Sequence, residues 1–389
     1  MHHMIDLLKH HLVQQKLIPV QGELLHHRCA GHVINLIVKD GLKFVEPIVD
    51  NIRESIKYLR SSTSRKQMFR EIIAREGITC KKKPSLDVIT RWNSTYLMLK
   101  TALKFRKAFE VLESEDQKYT YLPSPEEWKS VAVLCNLLKV FKKATKVISG
   151  TNYPTTNLYF HHMWKIKMDL EEELKTAELE LQTTEQEDNY SSEVPMPDQA
   201  KLSFLKEMIK VLKEMKKKFS KYWNKSHIIL CVPVVFDPRF KLKFVDFVFS
   251  KAFPKTGKEK IDRLQKLVHG LFSAYTSQQE TPSAASTQQI PRVCSVNNDP
   301  WAEWYKKVRD DLRTQRSTEL DRYLDEDPIQ AEEFDIINWW MGNATKYPTL
   351  SCIARDLFAV PATSVPSKSA FSMARRSIND FRSSLTLRQ

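Results

Sequence analysis

Three motifs near the end of this 389-residue chain indicate its fold most strongly. They read Phe334-Asp335-Ile336-Ile337-Asn338-Trp339-Trp340, Lys346-Tyr347-Pro348-Thr349-Leu350-Ser351 and Pro361-Ala362-Thr363-Ser364-Val365-Pro366-Ser367-Lys368-Ser369-Ala370-Phe371-Ser372. Apolar residues recur every three or four positions between 348 and 358, which predicts an amphipathic helix that Pro361 ends. Such a surface can pack within one chain or between chains, and we expect Trp339 and Trp340 mainly in the intrachain core. The candidate association residues are Trp339, Trp340, Tyr347, Leu350, Ile353, Leu357, Phe358 and Phe371.

Four further motifs precede this region. They are Arg28-Cys29-Ala30-Gly31-His32-Val33-Ile34-Asn35-Leu36-Ile37-Val38-Lys39-Asp40-Gly41-Leu42, Asp87-Val88-Ile89-Thr90-Arg91-Trp92-Asn93-Ser94-Thr95-Tyr96, Lys221-Tyr222-Trp223 and Phe236-Asp237-Pro238-Arg239-Phe240-Lys241. Together with the C-terminal motifs, and in this order, they resemble the hAT superfamily of DNA transposases, in particular its Activator-like and RICESLEEPER-like group. The resemblance covers most of the chain.

Composition limits the class of protein. A hydrophobic content of 42% is enough for a core, and no apolar run is long enough to predict a transmembrane helix, so no membrane partner is expected. The six cysteines form no Cys-x-x-Cys pair, as is typical of reduced intracellular proteins. The net charge of +14 favours a polyanionic partner, although excess lysine can also serve solubility alone. The resemblance favours DNA as that partner and the nucleus as the location, with no small-molecule substrate.

Strand signals are sparse, so the chain is predicted to be mainly α-helical. We expect one short strand at 23–27, a helix break at Asp40-Gly41, a capping box beginning at Ser124 and a polar loop over 177–200. The resemblance implies a remnant of an interrupted RNase H-like α/β fold with a large helical insertion, its early strands missing. The predicted domains are an RNase H-like remnant at 1–115, the helical insertion at 116–272, a flexible linker at 273–298 and a truncated C-terminal dimerisation region at 299–389.

Two sets of residues are candidates for DNA contact. Arg91 can bridge phosphates and Trp92 can stack on an unpaired base, although a buried tryptophan beside a structural arginine is the alternative. Five lysines line one face of a predicted helix over 201–223, where they either follow phosphates or form an ordinary solvated face paired with Glu207 and Glu214. These lysines are Lys206, Lys210, Lys213, Lys217 and Lys221.

The catalytic chemistry of the family is not expected here. The resemblance implies two metal ions held by three acidic residues, the third of them at the position that Lys368 occupies. A protonated lysine repels a magnesium ion, and no motif for the first two acids is found before Cys29. Cys29 and His32 lack the second ligand pair that a zinc site prefers. We therefore expect no catalytic residue, no bound metal and no strand cleavage.

Three hypotheses remain open at this point. The chain is a catalytically inactive, DNA-binding and dimerising hAT-like protein, which forms homodimers or associates with a full-length transposase. Alternatively, it is part of a longer active transposase, or a domesticated helical scaffold without DNA contact. Salt-dependent DNA binding distinguishes the first hypothesis from the third.

Overall fold

The computed structural model describes residues 2–187, 199–279, 318–331 and 333–365, and these residues form helices and connecting turns without a β-strand. The prediction of a mainly α-helical chain is confirmed. The helices, in chain order, are α1 (His2–Gln14), α2 (Ala30–Leu42), α3 (Glu46–Arg60), α4 (Thr63–Arg75), α5 (Trp92–Ala102), α6 (Arg106–Glu115), α7 (Pro125–Ile148), α8 (Thr156–Glu187), α9 (Gln199–Val235), α10 (Lys241–Ala252), α11 (Gly257–Gln279), α12 (Glu319–Asp325), α13 (Ile336–Gly342) and α14 (Pro348–Ala359). Short 3₁₀ turns occupy Val20–Gly22, Lys43–Val45 and Leu103–Phe105.

The chain divides into two compact units. Of the described residues, those between 28 and 225 and between 362 and 365 form one unit, and those up to 27 and between 226 and 361 form the other. The predicted domain boundaries at 115, 272 and 298 remain predictions. None of the described helices is long and apolar enough to cross a bilayer.

Helix starts follow the local signals in the sequence. The Ser124 hydroxyl accepts from the Glu127 backbone N–H at 3.2 Å, and the Glu127 carboxylate accepts from the Ser124 backbone N–H at 2.8 Å. This reciprocal pair satisfies two N–H groups that the first turn of α7 leaves without partners, and it confirms the predicted capping box. The helix predicted at 348–358 is α14, with Pro348 at its first turn.

The strand predicted at 23–27 is wrong. Val20, Gln21 and Gly22 adopt positive φ angles of 45°, 51° and 66°, so the chain coils tightly just before this segment. Residues 23–27 continue as turns and irregular backbone. The apolar pattern of a short segment does not reveal that coil.

The helix break predicted at Asp40-Gly41 is also misplaced, since α2 continues to Leu42 and the 3₁₀ turn follows it. Gly41 serves close packing instead of a break. A Cβ atom added there would lie 2.5 Å from the Met215 side chain of α9. Glycine therefore permits the close approach of α2 and α9.

Two predicted irregular segments begin later than expected. Helix α8 continues through Glu187, so the polar stretch from 177 is helical over its first part. Helix α11 continues through Gln279, past the predicted linker start at 273. Residues 188–198 and 280–317 lie outside the described residues.

Candidate functional site

A buried ion pair fixes the segment that leads into α5. The Asp87 carboxylate, whose side chain is 1% exposed, accepts from Arg53 Nε and Nη2, both at 2.9 Å, and from the Thr95 hydroxyl at 2.7 Å. Burial alone would raise the pKa of Asp87, but the bonds from Arg53 and Thr95 outweigh it and lower that pKa. Because Arg53 lies on α3, this bidentate pair ties the segment to a rigid helix.

The two residues of the predicted Arg91-Trp92 pair differ in exposure, because they lie at the start of α5. Arg91 is exposed at the N-cap, whereas Trp92 is only 4% exposed and packs against Tyr96 and Phe141, with ring centroids 6.5 Å apart in both cases. A ring buried in this way offers no free face to a base. The geometry therefore favours the structural alternative for Trp92 and leaves Arg91 as the candidate for phosphate contact.

Two of the five lysines on the α9 face pair with acids of α8. Lys206 lies 3.3 Å from Glu185, and Lys213 lies 2.9 Å from Glu178. A further pair joins Lys216 and Glu171 at 3.7 Å, as the antiparallel course of the two helices requires. Sequence reasoning considered only partners on the same helix, because it could not place α8 beside α9.

The remaining lysines of this face differ in their surroundings. Lys217 lies 3.6 Å from Glu214, and the Lys210 ammonium group lies 5.0 Å from the centroid of the Phe44 ring. Lys221 is exposed. Exposed pairs of this kind contribute only about 0–1 kcal/mol each, but they cancel charge locally. The geometry therefore favours the solvated-face alternative for this helix.

A cleft between α3, α4 and residues 80–84 is lined by cations that have no acidic partners in the part of the chain that the structure describes. We call it the basic cleft. Its volume is about 470 Å³, and its floor contains Ile56, Phe69, Ile73 and Phe105. Six exposed cations line it, and none forms an ion pair with any described residue. These cations are Arg60, Lys66, Arg70, Lys81, Lys82 and Lys83. Sequence reasoning interpreted Lys81–Pro84 only as a loop, although three consecutive lysines without a neighbouring acid were a usable signal.

The first and last motifs of the sequence meet at the start of α2. The Ala30 backbone N–H donates to the Ala362 carbonyl at 2.9 Å. The Cys29 sulfur accepts from the Ser364 N–H at 3.2 Å and from the Ser364 hydroxyl at 3.3 Å. Burial acts to raise the pKa of the Cys29 thiol, but these bonds and those from backbone N–H groups of His32 and Gly31 outweigh it and lower that pKa.

The surroundings of Cys29 and His32 bear on the metal-ligand candidates of the sequence. Within the described ranges, no group of three or more His, Cys, Asp and Glu residues is arranged to hold a metal ion. Cys29 is engaged with Ser364, and His32 is exposed on α2. Lys368, on which the catalytic prediction depends, lies outside the described residues.

The Phe236–Lys241 motif organises the core of the unit that contains the C-terminal helices. The ammonium group of Lys241, a residue 1% exposed, donates to the carbonyls of Tyr323 at 2.7 Å and Glu326 at 3.0 Å. The Trp340 indole donates to the Phe236 carbonyl at 3.0 Å, and the Tyr323 hydroxyl donates to Val235 at 3.0 Å. The Phe236–Lys241 motif and the adjacent Val235 therefore bind α12 and α13 through hydrogen bonds.

Most predicted association residues lie inside this core. Trp340, Tyr347, Leu350, Ile353 and Phe358 are buried, and Trp339 and Leu357 are half-buried. Trp340 lies in the core, as expected, and the same burial gives a structural role to neighbouring side chains that the sequence left as association candidates. Phe371 lies outside the described residues.

A different set of apolar side chains is exposed on the same helices. Met341, 70% exposed, and Ile337 lie one turn apart on α13. Both line a groove of about 600 Å³ whose other side is formed by Cys352 and Ala359 of α14. We call it the α13–α14 groove. The sequence did not indicate it, because α13 carries buried and exposed apolar side chains next to each other, Trp340 and Met341.

Comparisons with known proteins agree with this architecture. Residues 27–137 match the model of the ZBED1 RNase-like helical domain, residues 157–275 match the hAT-like transposase, RNase-H fold, and residues 319–388 match the hAT family C-terminal dimerisation region. The chain is 34% identical to Zinc finger BED domain-containing protein RICESLEEPER 2 of Oryza sativa subsp. japonica over 395 residues, 97% of this chain and 51% of that protein. It is 30% identical to Zinc finger BED domain-containing protein DAYSLEEPER of Arabidopsis thaliana over 367 residues, 94% of this chain and 48% of that protein.

These matches identify a transposon-derived class of protein with an RNase-H-like region and a dimerisation region. The chain belongs to the hAT transposase family. It spans about half the length of the relatives that it matches.

Proposed function

We propose that this chain is a nuclear hAT transposase-like protein that binds DNA through its phosphates, self-associates through its C-terminal helices and has no strand-cleavage activity of its own. The proposal concerns the chain of 389 residues and not the longer proteins that it resembles.

The observation that carries DNA binding is the uneven pairing of the positive charge. Three of the five lysines on the α9 face have an acidic partner, Lys206 and Lys213 with acids of α8 and Lys217 with an acid of α9 itself, whereas the basic cleft holds six cations without an ion-pair partner among the described residues. Unpaired surface cations attract phosphates, and their binding releases the counterions that DNA condenses. Arg91, exposed at the end of the segment that Asp87 anchors, adds a further cation.

Self-association is supported by the α13–α14 groove. The exposed Met341 and Ile337 lie within the part of the chain that matches the dimerisation region. An apolar groove of about 600 Å³ with a flexible methionine at its rim suits the same surface of a second copy.

The absence of cleavage rests on donor chemistry. Magnesium requires oxygen ligands, and an ammonium group at the position of the third acid repels a divalent cation. Lys368 therefore does not suit the metal that the family would use, and no catalytic step is assigned to this chain.

The DNA proposal is tested with the purified full chain and a fluorescein-labelled duplex. We expect the logarithm of the association constant to fall linearly with the logarithm of the salt concentration, by about 0.9 for each phosphate contact. Affinity that does not change with salt would contradict phosphate binding. Incubation of supercoiled DNA with the chain and Mg²⁺ or Mn²⁺ is expected to give no more nicking than a metal-free control, and additional nicking would refute catalytic inactivity.

Self-association is tested by sedimentation velocity on a pair of matched variants. Met341→Asp places a charge in the α13–α14 groove and is expected to shift the chain to monomer. Met168→Asp changes another exposed methionine, on α8, and is expected to leave the oligomer unchanged. An oligomer that tolerates Met341→Asp as well as Met168→Asp uses another surface.

A further inference from the structure

We infer that the basic cleft is a binding site for unpaired DNA, in which cations hold the phosphates of a single strand and the apolar floor receives a base. The inference rests on the proposed function and adds the kind of DNA and the place where it binds.

The charge around the cleft is arranged for a polyanion. Between Arg60 and Pro84 the chain has eight basic residues and two acidic ones, and neither acid lines the cleft. Glu76 pairs with Lys107 at 2.8 Å, and Glu71 accepts a hydrogen bond from Gln67 at 2.9 Å. Neither acid pairs with a lining cation, so these cations remain available to phosphates.

The position of three of these cations is fixed by the ion pair described above. Arg53 and Arg60 lie seven residues apart on α3, or about 10 Å along the helix axis. Asp87 and Pro84 are three residues apart, and an extended chain covers about the same distance in that span. The bonds between Arg53 and Asp87 therefore limit how far Pro84 can move from α3, and Pro84 and Lys81–Lys83 line the same cleft as Arg60. A site whose cations are held in place before binding loses less conformational entropy when the ligand arrives.

The floor of the cleft explains why the ligand is a strand with free bases. Duplex DNA presents phosphates outside and keeps its bases stacked, so a duplex alone gives no role to an apolar recess between cations. The volume of about 470 Å³ lies within the range of about 300–1,000 Å³ for pockets that enclose small ligands. Half-buried Ile73 and Pro84 offer apolar contact, and the neighbouring arginines offer planar groups on which a base can stack.

The experiment uses the full chain and three labelled 12-mers: a thymidine strand, an abasic strand of equal charge, and a duplex. The triple variant Lys81→Ala, Lys82→Ala, Lys83→Ala is expected to lower the magnitude of the salt slope on the thymidine strand by about 2, or about 0.7 for each cation. The matched control is the triple variant Lys206→Ala, Lys213→Ala, Lys217→Ala, which removes equal charge from the paired face of α9. This control is expected to change the slope much less.

The contribution of the base is measured separately. The wild-type chain is expected to bind the thymidine strand about tenfold more tightly than the abasic strand, at the lower end of the range for base stacking. Ile73→Trp fills the recess and is expected to remove that preference while binding to the abasic strand stays unchanged. Circular dichroism checks folding, and the exposed lysine variants keep the test valid if Ile73→Trp does not fold.

Equal binding of thymidine and abasic strands by the wild-type chain overturns the inference, because the recess then receives no base. A salt slope that responds to the α9 variant and not to the Lys81–Lys83 variant overturns it as well, and in that case DNA binding itself stands. Failure to bind any of the three DNAs refutes the proposed function together with the inference. Stronger binding to phosphatidylserine vesicles than to the thymidine strand, lost in the Lys81–Lys83 variant, assigns the cleft to an anionic lipid surface and also overturns it.

Discussion

Replacement of the buried lysine of α10 tests how the Phe236–Lys241 motif stabilises the C-terminal helices. Lys241→Met removes an ammonium group that donates to two carbonyls at the end of α12, at 2.7 Å and 3.0 Å, while it keeps a long apolar side chain. The Tyr323 carbonyl is then buried without a donor, which costs about 1–3 kcal/mol. The Glu326 carbonyl is partly buried, so water reduces the second penalty.

The relief of charge burial reduces the cost of leaving the two carbonyls without a donor. Burial lowers the pKa of Lys241, so its charged form is disfavoured in the folded protein, and methionine removes that cost. We therefore expect a net loss of about 2 kcal/mol at pH 7, the sum of the two carbonyl penalties less the relief of charge burial.

Urea unfolding and amide hydrogen exchange measure the effect. Lys243→Met is the matched control, because Lys243 is half exposed and pairs at 2.9 Å with the almost fully exposed Asp327. This control is expected to cost less than about 1 kcal/mol. Exchange in α12 is expected to accelerate only in Lys241→Met. Equal stability of the two variants, with unchanged exchange in α12, would refute the reasoning.

Two further predictions follow from shifted pKa values. Because the pKa of Asp87 in the folded chain lies below its ordinary value of 3.8, the ion pair with Arg53 contributes fully above that value and is lost as pH falls through the folded pKa. Asp87→Asn is expected to lose about 3 kcal/mol at pH 7 and to approach wild-type stability in acid; a deficit that is constant with pH contradicts this. Iodoacetamide is expected to alkylate Cys29 faster than buried Cys135, whose pKa burial raises to about 12, and Ser364→Ala is expected to slow the reaction at Cys29. Equal rates in wild type and Ser364→Ala, measured by mass spectrometry at pH 7, would exclude control by that hydrogen bond.

Local features of the fold could be predicted from the sequence because their causes lie within a few residues. The Ser124 capping box and the Pro348 helix start depend on neighbours three or four positions away, and both have the predicted form. The helix break at Asp40-Gly41 was misplaced because the role of this glycine does not depend on its neighbours in the sequence. Its glycine serves a contact with Met215, a residue of a distant helix that no local pattern indicates.

The candidate sites were harder to predict because they depend on tertiary partners. Arg91 and Trp92 are adjacent in sequence, yet one is exposed and the other packs against Phe141 of α7. The same limitation affects the motif at the end of the chain, where the sequence placed Trp340 in the core but did not show which neighbouring apolar side chain is exposed. Trp340 became a core residue through its bond to Phe236, and Met341, next to it, became the exposed one.

How far the net charge of +14 favours DNA binding depends on which cations have acidic partners. On the lysine face of α9, three of the five lysines have an acid of α8 or α9 within 4 Å, so part of the charge is cancelled, however regular the spacing is in the sequence. Cations without such acids retain their attraction for phosphates, and those of the basic cleft are set around an apolar recess. Since free energies of phosphate contact add with the number of unpaired cations, the irregular segment at 80–84 should determine DNA affinity more than the longer and more regular helix α9.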